Sequence, residues 1–308
     1  MRKQVIVPLV ICLFPLVVMT ACSSLQNGGS DIKADRINYK DDQITEEEIE
    51  EPLFKIEHPN WTSHTNSNFI QDMAFDNESR LWAVGDGGAV RWDLKDGTFQ
   101  KITSEHGLPE NHITAIAITP DNSLWFGSDQ NGIAYFDQGE WVYINTQDGL
   151  SSNAIHDIKI DQENWIWVAT NRGISFFDGT KWEIITRADG LISDMVYSIL
   201  VDSSNRIWVG TNAGISLWDG ETWVYITEND GLGGRLIRTM IEGADGSIWV
   251  GTQDGGVSHF DGITWKIFTE GDGLASDWIY SLVEDTNGRI WIGTRNGLST
   301  FDGGIMNG

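Results

Sequence analysis

The chain has 308 residues, 45 of them Asp or Glu against 20 Lys or Arg, for a formal charge of −25. That balance argues against binding nucleic acid or anionic lipid headgroups, whose phosphates demand Lys and Arg. It admits divalent cations, but there is no EF-hand spacing and no metal-type His or Cys cluster, so no cofactor is expected.

In chain order, Met1-Arg2-Lys3 is a positive start, and residues 5–19 form an apolar run of secretory-signal length, short for a membrane span. Met19-Thr20-Ala21-Cys22 follows, with small residues before a cysteine. This resembles the bacterial lipoprotein signal, which implies cleavage after Ala21, lipid on Cys22 and a place on the extracytoplasmic side of the cell envelope. Met19 departs from the usual Leu. The alternative is an ordinary signal peptide with a chance cysteine. Cys12 lies inside the signal, so the processed chain would hold Cys22 alone and no internal disulfide. Residues 22–52 carry Gly28-Gly29-Ser30 and the acidic run Glu46-Glu47-Glu48-Ile49-Glu50-Glu51, too polar to build a core. They read as a self-repelling tether.

Residues 53–308 are organised by a repeat. Arg206-Ile207-Trp208-Val209-Gly210-Thr211 has close copies at Ser247-Ile248-Trp249-Val250-Gly251-Thr252 and Arg289-Ile290-Trp291-Ile292-Gly293-Thr294. Looser copies centre on Trp82, Trp125 and Trp167. Gly-Leu pairs ending at Leu108, Leu150, Leu191, Leu232 and Leu274 keep the same beat. Two motifs in phase establish an internal repeat of about forty residues. Each unit reads as four short strands separated by turn chemistry, with no helical period. Three residues before each landmark Trp stand Ser79, Asn122, Asn164, Asn205, Gly246 and Gly288, positions suited to a positive φ. The expected fold is all-β: a six-bladed propeller of four-stranded blades. The last copy lacks a Trp-bearing outer strand, and Trp61 stands alone before the first. The N-terminal strand around Trp61 is therefore expected to complete the last blade, since an open array would leave bare edges.

Over residues 67–303 the pattern Ile-Trp-x-Gly-Thr, then Asp-Gly and Asp-Gly-Leu, resembles the two-component regulator propeller repeat. The resemblance implies an extracytoplasmic sensory module, as in hybrid histidine kinases, where such repeats commonly form seven-bladed doublets. Here there are six copies and no kinase or receiver segment, so self-contained transmembrane signalling is not implied. The family repeat carries no catalytic residue to transfer. A weaker likeness is to streptogramin lyase propellers, whose catalytic pattern cannot be placed here.

Repeated positions that differ between blades are candidate functional positions, because the scaffold does not dictate them. Eleven residues before the landmark Trp stand Gln71, Thr114, His156, Tyr197, Arg238 and Tyr280. Trp278 and Arg295 belong to neighbouring loop columns. His156, Tyr197, Arg238, Tyr280, Trp278 and Arg295 are the expected ligand-binding residues, mixing flat aromatic faces with hydrogen-bonding groups. Such a set suits a small molecule or glycan in a concave mouth. The competing reading is a polar rim with no ligand. The first functional reading is thus a lipid-anchored module binding a small molecule, glycan or partner protein. The alternatives are a lyase or hydrolase at the axial mouth, with His156 and Arg238 as its only candidate trio members beside Tyr197 or Tyr280, and a structural envelope component. An isolated Trp165 marks the opposite face as a fallback.

Overall fold

The computed structural model describes residues 69–303 together with the strand Met306–Asn307. The segment around Trp61, the tether and Cys22 lie outside the described residues. Six sheets of four antiparallel strands follow one another in strict chain order, giving a six-bladed propeller. The inner strands are Ile70–Phe75, Ile113–Ile118, Ile155–Ile160, Val196–Val201, Ile237–Glu242 and Ile279–Glu284. Each touches the inner strand of the next blade from blade 1 to blade 6.

The local chemistry explains the periodicity. The first hairpin of each blade turns through a left-handed residue, with φ of 62° at Ser79, 72° at Asn122, 63° at Asn164 and 59° at Asn205. Glycine takes that place in blades 5 and 6. The Asp-Gly-Leu landmark is a one-turn helix, for example Glu228–Asp230, capped by Thr227 and closed by Gly231 at φ 116°. A Cβ on Gly231 would sit 2.6 Å from Cβ of Trp265, so the close approach of that ring, as well as the dihedral, requires glycine. The Leu that follows is buried in every copy.

The landmark tryptophans are tied to the preceding turn. The indole N–H donates to Asp76 (3.0 Å), Asp161 (2.9 Å), Asp202 (2.8 Å) and Asp285 (3.0 Å) in blades 1, 3, 4 and 6. Blade 5 has Gly243 at the aspartate position, and Ser247 Oγ accepts the bond instead at 3.1 Å. Blade 2 has Thr119 there, and the buried Trp125 indole nitrogen has no partner. Asp76 is solvent-excluded and also accepts from Arg80 Nε at 2.7 Å. Burial alone would raise its pKa, but the bonds from Arg80 and Trp82 more than offset that and lower it. A folded-state pKa below the unfolded value of about 3.9 adds stability above that pH and withdraws it as pH falls toward the folded value. Asp76→Asn is therefore expected to melt lower than the parent at neutral pH and to lose less on acidification from pH 6 to pH 3. Parallel thermal melts across that range check it.

Five apolar clusters form the core, one between each pair of successive blades from 1–2 to 5–6. Among the described residues the seam between blades 6 and 1 has no such cluster. Leu81 and Trp291 face it only partly buried, whereas their counterparts in the other blades are buried. Phe75 is 50% exposed and Val283 45% exposed. A polar latch reinforces two of the other seams. Glu242 and Glu284 each receive a backbone N–H from the turn of the preceding blade, Ser203 at 2.7 Å and Ala244 at 2.6 Å. The same position in blades 1 to 4 is Phe75, Ile118, Ile160 and Val201, none of which can accept.

Among the described residues the fourth strand of the last blade is Met306–Asn307, paired with Gly297–Phe301. The segment around Trp61, expected to complete this blade, lies outside the described residues.

Candidate functional site

Every inner strand carries a register shift near its start, and the residue skipped is the one eleven before the landmark Trp. In blade 1, Ile70 pairs with Gly85 and Asp72 with Val84, leaving Gln71 unopposed. The same holds for Thr114, Tyr197, Arg238 and Tyr280. In blade 3 the shift falls between Ala169 and Thr170 and leaves out His156. A bulged residue is released from the ladder and its side chain re-aimed. All six of these residues line one cavity of about 870 Å³.

The bulge explains why this column varies between blades while the position before it stays Ile or Val. Three of its side chains form a stack. His156 lies parallel to Tyr197, ring centroids 5.4 Å apart at 15°. The Arg238 guanidinium sits over the Tyr197 ring at 5.4 Å. His156 Nδ1 is 2.6 Å from the Val196 carbonyl, which can only accept, so Nδ1 carries the proton and donates. In the neutral ring Nε2 is then an acceptor. Arg238 donates from Nη2 to Gln253 Oε1 at 2.6 Å, while its buried Nε has no acceptor. Among the described residues Arg238 makes no ion pair.

Trp278 and Arg295 are not part of this arc. They pair with each other, the guanidinium 5.2 Å from the indole, in a separate depression of about 430 Å³ with Gln253, Asp254 and Asp277. Trp278 still approaches Tyr280, at 6.3 Å between ring centroids. Trp165 is 39% exposed, packs edge-on against Phe176 at 5.2 Å and lines neither cavity.

A charged trio deeper in the cavity went unnoticed in the sequence. Lys159 Nζ contacts Asp157 Oδ1 at 2.7 Å, and Asp72 lies within its field. Asp157 also accepts the N–H of Ile199 (2.8 Å) and Asp72 that of Ile116 (2.9 Å), each from the next blade's inner strand. Burial opposes the charge on Lys159, but the carboxylates of Asp157 and Asp72 outweigh it and raise the ammonium pKa. Burial pushes Asp72 up, toward its neutral form, with Lys159 opposing and Asp157 adding. The signal was available: five of the six residues eight before the landmark Trp are Ala, Leu, Ile or Val, and Lys159 is the exception.

Among the described residues no three His, Cys, Asp or Glu side chains are grouped to hold a metal ion, and no helix is long and apolar enough to cross a membrane.

The class these features define is a β-propeller with a varied axial cavity. Residues 107–130, 149–172, 190–213 and 273–296 match the two component regulator propeller family model. Each match runs from the Gly-Leu linker through the inner hairpin. No curated protein sequence matches the chain. The extracellular domain assigned to the hybrid two component system BT3049 from B. thetaiotaomicron is similar at TM-score 0.66 and 24% identity, over 75% of this chain and 32% of that one. PorZ, an essential surface component of the type-IX secretion system of Porphyromonas gingivalis, is similar at TM-score 0.61 and 20% identity, over 76% and 38%. The virginiamycin B lyase from Staphylococcus aureus is similar at TM-score 0.58 and 14% identity, over 76% and 82%. The chain thus spans about a third of the length of the first two. At these identities the likeness shows the fold.

Proposed function

We propose that this protein is a lipid-anchored, extracytoplasmic binding module whose axial cavity takes a small ligand, and that it serves a sensory or interaction role. The observation that carries the reading is the bulged column. Six positions freed from the ladder converge on one cavity, and on successive blades they hold His156, Tyr197, Arg238 and Tyr280. A scaffold needs none of these side chains, since Gln71 and Thr114 fill the same slot elsewhere. The repeat family and the extracellular sensor domain named above support a sensory setting.

The Arg238 guanidinium has no carboxylate partner among the described residues, so the ligand carries an acceptor, a carboxylate or a hydroxyl. Arg238→Ala is expected to weaken binding by about 1.5–3 kcal/mol, as for a hydrogen bond to a charged group. The melting temperature should move by only a few degrees, because Arg238 is outside every core cluster. Calorimetry on parent and variant with organic acids and sugars decides it. Unchanged affinity in both Arg238→Ala and Tyr197→Ala would remove the site from the axis.

A further inference from the structure

The cavity extends beyond the axial arc. Its lining runs from Arg238 and His156 along the inner strands of blades 1 and 6 to Phe75, Leu81, Val283 and Leu298. It therefore reaches the seam between blades 6 and 1, which has no core cluster among the described residues. Phe75 and Val283 are large apolar side chains about half exposed, at positions that elsewhere meet a neighbouring blade. The volume of about 870 Å³ falls in the range of roughly 300–1,000 Å³ typical of ligand pockets.

The two ends of this space differ in chemistry. At the axial end Arg238 has no carboxylate partner among the described residues, and its Nε has no acceptor. The nearby Asp157 is neutralised by Lys159 at 2.7 Å. At the far end stand Glu284, which accepts the N–H of Ala244, and Asp285, which lies in the field of Arg289. An anionic group is favoured at Arg238, and the seam end adds the apolar side chains of Phe75, Leu81, Val283 and Leu298.

Resting on the axial-site reading above, we propose that the ligand is an amphiphile: a carboxylate-headed alkyl or acyl chain, its head on Arg238 and its chain in the seam between blades 1 and 6. The carboxylate supplies the counter-charge that Arg238 lacks, and the chain covers Phe75, Leu81 and Val283. A polyol fits the arc but leaves the half-exposed faces of Phe75 and Val283 uncovered.

The test uses the chain from Ser23 onward, purified without detergent, with butanoate, octanoate and dodecanoate as probes below their micellar concentrations, and dodecanol as the uncharged control. Binding is followed by calorimetry. Each added CH₂ buried in the seam should tighten Kd about fourfold. Arg238→Ala should weaken dodecanoate by roughly tenfold or more and leave dodecanol unchanged. Phe75→Asp and Val283→Asp, both at exposed positions, should flatten the dependence on chain length while the fold, checked by melting, persists. Equal affinity for butanoate and dodecanoate overturns the proposal. So does equal affinity for dodecanol and dodecanoate in the parent. So does dodecanoate binding that appears only after residues 53–67 are removed, which would make that segment the seam's occupant, or only in a monomer after a dimer is broken. Sugars or short acids that bind the parent but not Arg238→Ala, with no chain-length effect, sink the amphiphile and keep the axial site. Loss of every Arg238-dependent interaction sinks both.

Discussion

Trp208→Ala is expected to cost about 3–5 kcal/mol of folding stability, the range for deleting a large buried aromatic. Trp208 is 1% exposed and packs with Ile215, Leu232, Ile237 and Val250 in the cluster between blades 4 and 5. Its indole N–H donates to Asp202 at 2.8 Å, and that carboxylate is also held by Arg206 Nε at 2.6 Å. The substitution therefore opens a cavity and removes one bond from a solvent-excluded carboxylate. A typical domain has about 5–15 kcal/mol in total, so the variant stands near its unfolding threshold at physiological temperature. Trp165→Ala is the control. That ring is 39% exposed, and its loss should stay within about 0.5–1 kcal/mol. Denaturant melts compare the two. Equal midpoints would mean that the landmark tryptophans do not carry the inter-blade cores.

The second large effect concerns the membrane. Cys22→Ser is expected to release the protein from membranes or to block its processing. Cys22 alone combines the end of the apolar run with the small residues Thr20 and Ala21. Each buried CH₂ of an attached chain contributes about 0.8 kcal/mol, so two or more chains hold a protein stably where none would. The charge of the chain, −25, leaves no electrostatic substitute for that anchor on an anionic bilayer. Fractionation of cells expressing parent and variant reads the outcome. A variant that is processed and still fully membrane-bound contradicts the anchoring.

The blade count was legible because a propeller repeats its local rules. The tryptophan and the left-handed residue three before it recur in each blade, the aspartate in four of the six, and each does the same physical work. The axial column was legible only as variation, since nothing in one strand announces a bulge. The bulge is a mismatch of register between two strands, and pairing exists only in the folded sheet. Trp278 and Arg295 were grouped with the arc because they stand two residues before Tyr280 and fifteen after it. The loop carries them instead into a depression of their own with Asp277 and Gln253. Lys159 was missed because it sits inside a strand that otherwise reads as scaffold.

The seam was illegible for a different reason. Phe75, Leu81, Val283 and Trp291 look like the core residues of any other copy. Whether they meet a partner depends on how the wedge angles of six blades add up, a global quantity.

The central claim is that the axial cavity of this propeller is a ligand site read by its bulged side chains. Its most direct test is a thermal-shift screen of the chain from Ser23 onward against organic acids, sugars and acyl carboxylates, run in parallel on Arg238→Ala. Binding to the native state raises the melting temperature. The account predicts a class of compound that stabilises the parent and fails to stabilise the variant. Compounds that raise both melting temperatures equally, or a screen in which nothing distinguishes the two proteins, would contradict it.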